Sequence, residues 1–284
     1  MNFNLNENKP VVVLLGAGSM GTAIVRRIAA GKTVLLGDLS EEKLETVAAE
    51  LRYSGYEVAT HQVDASDKES IRAFAKKAAS LGDVMYFIDT AGASPSQASP
   101  EHIIKLDLIG TSYAIDEFAE VMAKGGAGLI VSSQAGYMPS PLTSETEAEI
   151  ANTPTDQLAS LSCLSAEAVP NSGVAYVVSK KANHLRVQTA AATSWGDHGA
   201  RINTISPGII VTPLAYDEFN SQGNSYQDMI SASASKRVGT SDEIAAVGAF
   251  LLSDDAAFIT GTDLLVDGGV IASLKSGRIK IEIH

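Results

Sequence analysis

The chain has 284 residues, 45 % of them hydrophobic, with a formal net charge of −12. That length and apolar content suit one α/β domain with a full core, while the acidic balance argues against nucleic acid or an anionic membrane surface as a partner. A lone cysteine, Cys163, excludes a disulfide within the chain and fits a reducing, cytoplasmic setting. The first ten residues lack an apolar signal core, and no run approaches the roughly 18 apolar residues of a membrane span.

Short apolar runs alternate with longer amphipathic ones along the chain. Val11–Leu15 reads as a buried strand and 21–30 as a helix. Thr33–Gly37 is a second strand, followed by a charged helix over 41–52. A third strand over 57–63 and a third helix over 67–80 come next. Val84–Ile88 and Leu129–Ser132 read as buried strands, separated by a helix near 100–123. A long helix covers 173–195. Arg201–Ser206 and Asp263–Val266 are the last strands, with a helix over 241–252 between them. Strands of this kind alternating with helices predict βαβ units, hence a doubly wound parallel sheet flanked by helices on the Rossmann plan, in one domain without internal repeats. Residues 137–172 break the rhythm: they hold Glu145, Glu147, Glu149, Asp156 and Glu167, four prolines and no lysine or arginine. A stretch this long reads as a loop with a function or without order.

The first strand runs into Gly16-Ala-Gly18-Ser-Met-Gly21 and then the first helix. A G-x-G-x-x-G turn in this context lets the backbone approach a pyrophosphate and offers it free N–H groups at a helix N-terminus. Gly16, Gly18, Ser19, Met20 and Gly21 are therefore candidate cofactor-binding residues. Asp38, with Leu39 after it, ends the second strand roughly 20 residues further on, where a carboxylate accepts hydrogen bonds from the ribose diol of NAD and repels the 2′-phosphate of NADP. No lysine or arginine adjoins Asp38 in sequence, so NAD is expected over NADP. Ser40 stands ready to cap the helix that starts at Glu41, which frees Asp38 from that duty.

Tyr176 and Lys180 lie four apart in AYVVSKKA, on one face of the long helix. A free phenol has a pKa of about 10. An ammonium about 4 Å away at an effective dielectric of about 20 contributes up to about 4 kcal/mol, enough to bring the phenol towards neutral pH before desolvation takes some back. Ser133 ends the fifth strand, and Pro207-Gly208 end the sixth, at the carboxyl rim where ligands bind in open α/β sheets.

Taken together and in order, the glycine turn, Asp38, Val63-Asp64, Ala91-Gly92, Ser133, Tyr176-x-x-x-Lys180, Pro207-Gly-Ile-Ile-Val-Thr212 and Ile259-Thr-Gly261 with Val266-Asp-Gly-Gly269 resemble the short-chain dehydrogenase/reductase family over roughly residues 10–270. The resemblance implies a Rossmann-type enzyme that interconverts a secondary alcohol and a ketone by hydride transfer. It places Asp64 and Ala65 at the adenine, Ala91 and Gly92 on the adenosine side, and Ile210 and Thr212 at the nicotinamide carboxamide, with Pro207 and Gly208 beside them. Ser133 would hold the substrate oxygen, Tyr176 would be the acid/base, and Lys180 would bind the nicotinamide ribose and tune the tyrosine. It also implies a homodimer or homotetramer acting on a small-molecule alcohol or ketone.

Three departures stand out. Leu15 replaces the threonine of the family's first turn, and Ser19 falls where a glycine is usual. The usual Asn-Asn-Ala-Gly is Asp89-Thr-Ala-Gly92. The family's assisting asparagine corresponds, by its Asn-x-x-Gly context, to Asp107, in which ionisation removes the donor. The separation of Ser133 and Tyr176 is much longer than in most members. The excess resembles an insertion in bacterial 3α-hydroxysteroid dehydrogenase/carbonyl reductases, where it bears on subunit association. It weakly favours a steroid-like or other bulky cyclic substrate over a sugar or an acyl ketone. Residues 215–234 read as a substrate lid. The five histidines show no metal-ligand spacing, so no metal is expected, and His184 reads as a packed residue. Cys163 is no nucleophile candidate. The alternating end over 278–284 reads as a strand-like or disordered tail. A non-catalytic NAD(H) sensor is the alternative of a different class, disfavoured by the presence of Ser133, Tyr176 and Lys180 together.

Overall fold

The central apolar runs become strands buried on both faces, while the edge runs Glu57–Gln62 and Asp263–Val266 stay partly exposed. In the computed structural model, which describes residues 9–96, 98–212 and 224–278, Val11–Leu15 (β1) is buried throughout. Thr33–Asp38 (β2), Glu57–Gln62 (β3), Val84–Asp89 (β4), Met122–Val131 (β5) and Arg201–Pro207 (β6) follow. Ile210–Val211 (β7) and Gly239–Thr240 (β8) form a separate two-stranded ladder, and Asp263–Val266 (β9) closes the main sheet. The seven-stranded sheet has the order β3-β2-β1-β4-β5-β6-β9, and every pairing is parallel. The order reverses between β1 and β4, which opens a crevice at their carboxyl ends.

Helices cover both faces. Ser19–Ile28 (α1), Glu41–Tyr53 (α2), Lys68–Ala79 (α3), Pro100–Ile103 (α4) and Thr111–Ala119 (α5) lie in the first half. Ser144–Asn152 (α6), Ser172–Ala192 (α7), Ser194–Asp197 (α8), Asn224–Ala232 (α9), Ser241–Leu252 (α10) and Val270–Lys275 (α11) lie in the second. One core layer packs Phe74, Phe87, Phe118 and Trp195 against the sheet, with the Phe87 and Phe118 rings stacked at 3.9 Å. The opposite layer joins Ile24, Leu36, Leu129 and Ile244. Such burial is the dominant stabilising contribution, of about 1.5–3 kcal/mol per large side chain.

Several expected boundaries shift for physical reasons. The helix expected near 100–123 is three pieces: α4, a π-helical turn at Ile104–Gly110, and α5. A Cβ at Gly110 would lie only 2.1 Å from the Ala65 carbonyl oxygen, so glycine lets that turn approach the third strand's loop. The fifth strand begins at Met122 rather than Leu129; its register with β4 slips between Val84 and Tyr86, and Gly125 takes a left-handed φ of 84° in the irregular stretch. The long helix stops at Ala192, where Thr193 leaves helical geometry.

Residues 137–172 are ordered rather than a bare loop. They hold α6 and 3-10 turns at Thr155–Ser160 and Ser162–Leu164. Ile150, Leu158, Leu164 and Val169 pack on Ile103, Leu108, Ala175 and Val178 as a third apolar cluster. The expected lid over 215–234 lies partly outside the described residues, which resume at α9, and the expected tail over 278–284 lies outside them beyond Arg278. Among the described residues no helix is long and apolar enough to cross a membrane, and no group of side chains could hold a metal ion.

Candidate active site

The glycine turn sits at the switch point of the sheet. Gly16 has φ of 85°, and a Cβ there would fall 2.6 Å from the Ala91 nitrogen, so only glycine lets this turn pass the end of β4. Thr90 Oγ1 donates to the Gly16 carbonyl at 2.6 Å, a tie across the two strands that the sequence reading missed. Gly18 caps α1 in extended geometry, and its Cβ position meets no atom within 4 Å. The helix N-terminus thus opens on free space with no acidic residue in its first turn, as a pyrophosphate requires. Gly21 has a different duty: a Cβ would meet Leu14 Cδ1 at 2.5 Å, so it lets α1 lie close on β1.

A cavity of about 570 Å³ extends from this turn. Of the residues singled out in the sequence, it is lined by Gly16, Gly18, Ser19, Met20, Asp38, Leu39, Asp64, Ala65, Ala91, Gly92 and Thr212. Lys43, Val47, His102 and Leu106 also line it and were not foreseen. Gly21, Ser133, Tyr176, Lys180, Pro207, Gly208 and Ile210 do not line it. Pro207 is buried at the end of β6, Gly208 packs on Asp267, and Ile210 faces a smaller pocket of about 70 Å³ with Ile230 and Val266.

Asp38 Oδ2 accepts from the Ala17 amide at 2.9 Å, and Oδ1 accepts from the Ser40 amide at 3.1 Å. Ser40 itself caps α2 by accepting from the Lys43 amide. Lys43 Nζ lies 2.7 Å from Asp38 Oδ2. Although no cation adjoins Asp38 in sequence, one helical turn of α2 brings Lys43 back onto it. Burial pushes the Asp38 carboxyl up, but the Lys43 ammonium and the amides of Ser40 and Ala17 outweigh it and hold the group below its ordinary value. A carboxylate that stays ionised and faces the cavity fits a ribose diol.

The second cluster lies where β5 meets α7. Ser133 follows β5 and caps the 3-10 turn Gln134–Tyr137, its Oγ accepting from the Ala135 amide at 3.1 Å. Asn171 caps α7 by accepting from the Val174 amide, which starts the helix so that Tyr176 and Lys180 share one face. Lys180 Nζ lies 5.2 Å from the centre of the Tyr176 ring. Ser132 Oγ donates to the Lys180 carbonyl at 3.0 Å, tying the strand end to the helix. Gly136 brings the turn against α7, since a Cβ there would lie 2.6 Å from His184 Cε1.

Lys180 is buried, and its ammonium forms an ion pair with Asp107 Oδ2 at 2.9 Å. Burial alone lowers the ammonium's pKa, but Asp107, Tyr176 and Asp89 together hold it above its ordinary value. Asp89, at the end of β4, is pushed up to about 7 chiefly by burial, with the Asp107 charge adding to it against the Ala91 amide and Lys180. His184 is packed, as its position suggested: Nε2 lies 2.9 Å from Ser206 Oγ, which donates to Asp263. Cys163 is a half-buried free thiol whose pKa burial raises, so it is no activated nucleophile.

The switch-point crevice with a glycine turn and the Tyr–Lys helix face defines a nucleotide-dependent oxidoreductase frame. A family model for short chain dehydrogenases matches residues 9–145, and one described as enoyl-(acyl carrier protein) reductase matches 142–271. The chain is 40 % identical over 269 residues to the short-chain dehydrogenase/reductase bsc3 of Alternaria brassicicola, covering 94 % of this chain and 97 % of that one. It is 32 % identical to the meso-2,3-butanediol dehydrogenase of Serratia marcescens, with 97 % and 98 % covered. The crystal structure of levodione reductase superposes with a TM-score of 0.74 at 24 % identity, covering 93 % of this chain and 98 % of that one. The protein belongs to the short-chain dehydrogenase/reductase family, whose members use a nicotinamide cofactor to interconvert alcohols and carbonyl compounds.

Proposed function

We propose that the protein interconverts a secondary alcohol and a ketone with NAD(H), with Tyr176 as acid/base, Ser133 holding the substrate oxygen and Lys180 tuning the phenol. The observation that carries this reading is the Lys180 ammonium 5.2 Å from the centre of the Tyr176 ring on one face of α7. When bound, the nicotinamide supplies or accepts the hydride. In reduction, Tyr176 gives its proton to the carbonyl oxygen as the carbon receives hydride, and Ser133 donates a hydrogen bond to the developing alkoxide. In oxidation Tyr176 takes the alcohol proton instead. Gly16, Gly18, Ser19 and Met20 would hold the pyrophosphate, Asp38 and Leu39 the adenosine ribose, and Asp64, Ala65, Ala91 and Gly92 the adenine side. Gly21 and Gly208 would act through packing. Pro207, Ile210 and Thr212 would shape the nicotinamide end.

The paired Asp38 supports NAD over NADP, although Lys43 offsets part of its repulsion. Leu142 and Leu161 of residues 137–172 pack against the same apolar cluster as Tyr176, which supports a role for the segment in shaping the substrate mouth, and we propose a bulky cyclic substrate. The butanediol relative points to small alcohols as the rival within the same chemistry. We further propose residues 215–234 as a substrate lid, a cytoplasmic setting, and a homo-oligomer of one domain per chain. A turnover screen with NAD and NADP against hydroxysteroids, butanediol and sugar alcohols tests the reading. Reduced-cofactor absorbance rising with NAD and a cyclic alcohol is the expected result. Turnover with NADP alone would overturn the Asp38 argument, and turnover confined to small diols would overturn the bulky substrate.

A further inference from the structure

Asp107 is a fully buried carboxylate in the π-helical turn, and Lys180 is its counter-ion: the two side chains are 0 % and 5 % exposed. Its Oδ1 accepts from the Ala93 amide at 2.8 Å. Its Oδ2 makes no hydrogen bond among the described residues, so the Lys180 ammonium at 2.9 Å is its compensation. The turn is held from behind by Asn183, whose amide in its better orientation donates to the Asp107 carbonyl at 2.9 Å. Gly92 covers the pair, since a Cβ there would lie 3.1 Å from Asp107 Oδ2 and 3.4 Å from Lys180 Nζ.

A buried ammonium facing a buried carboxylate exerts a weaker field on a nearby phenol than an unpaired one. We propose that Asp107 is a positioning residue that holds the Lys180 ammonium beneath Gly92 and, by offsetting its charge, raises the pH at which Tyr176 ionises. This inference rests on the reading that Tyr176 exchanges the proton. The other charged groups around Lys180 are few. Asp89 faces it from the end of β4 and acts in the same sense as Asp107. His184 lies one turn along α7, paired with Asp263, to which Tyr137 also donates. Lys181 pairs with Glu147 of α6, and Arg186 pairs with Asp116 of α5. From α4 and the π turn, His102 and Lys105 act on Asp64 at the cavity's other wall. A phenol kept protonated at neutral pH is ready to donate, which suits the reductive direction.

Asp107→Asn tests this, because the amide keeps the acceptor for Ala93 and nearly the same volume while removing the charge. The readout is the ultraviolet phenolate titration of the full-length protein without cofactor, with the same titration on Tyr176→Phe backgrounds subtracted. The Tyr176 midpoint is expected to fall by about one pH unit, and the acid limb of kcat/KM for alcohol oxidation to move with it. An unchanged or raised midpoint, with or without loss of activity, would make Asp107 merely structural and overturn the proposal. If Asp107→Asn does not fold, Asp89→Asn removes the other carboxylate facing the same ammonium: a lowered midpoint supports the charge offset and an unchanged one overturns it. Failure of the functional reading is separate, because it would appear as full turnover in Tyr176→Phe whatever the titration shows.

Discussion

Asp38 and Lys43 form an ion pair at 2.7 Å on the wall of the nucleotide cavity, and the two have opposite effects on a 2′-phosphate. Removing the lysine leaves an unopposed carboxylate. Lys43→Ala is therefore expected to weaken NADP binding by about fivefold while changing NAD binding little, since a partly exposed pair contributes about 1 kcal/mol. Asp38→Ala is expected to do the reverse, weakening NAD and relieving the repulsion of NADP. Dissociation constants from cofactor fluorescence check both, and equal losses for the two cofactors in Lys43→Ala would refute the charge argument. Asp38 was legible because its place at a strand end after a glycine turn is a local feature. Its partner was not, because the α2 rotation that returns Lys43 to Asp38 depends on Ser40 serving as the cap. Asp107 was legible as a departure from a motif, but not as the counter-ion of Lys180, because a π turn places its side chain and no short-range pattern announces one.

At the scale of elements, Arg186 of α7 is the anchor of the inserted segment. Its guanidinium donates to the carbonyls of Ile150, Ala151 and Thr153 at the end of α6 and to Thr155 Oγ1, so one buried cation satisfies the orphan acceptors of a helix terminus. Arg186→Ala is expected to cost about 2–3 kcal/mol by leaving these groups unpaired, and to loosen residues 150–156 selectively. A urea midpoint equal to the wild type would contradict that anchor. The segment read as a loop in sequence because prolines and acidic residues dominate it. Its local signal was the Thr143-x-x-Thr146 capping box that starts α6. The fifth strand was truncated in the sequence reading because Lys124-Gly-Gly looks like a turn, whereas the structure uses Gly125 to carry an irregularity within the strand.

Over the whole molecule, the alternation of apolar runs and helices was enough to read a parallel sheet, because strands buried on both faces carry continuous apolar sequence. The order of those strands was not legible in the runs themselves, since any pair of Val- and Leu-rich strands can lie side by side. The cluster of Asp89, Asp107 and Lys180 links folding to pH. Asp89 holds its proton to about 7 in the fold, whereas it loses it near 3.8 when unfolded. Between those values the folded state binds the extra proton, so this group's contribution to stability falls as pH rises and stays lost above about 7. Asp89→Asn removes that titration. Its melting temperature relative to the wild type is expected to be higher at about pH 8 than at about pH 5; a difference independent of pH would show that Asp89 is ionised throughout.

Proton transfer by Tyr176 is tested most directly by comparing wild type with Tyr176→Phe for both NAD binding and turnover of the best alcohol in the screen. With Tyr176 as acid/base, the NAD dissociation constant is expected to change less than about threefold and kcat to fall by about a hundredfold or more. A kcat close to wild type with NAD bound would contradict that role and place the acid/base elsewhere.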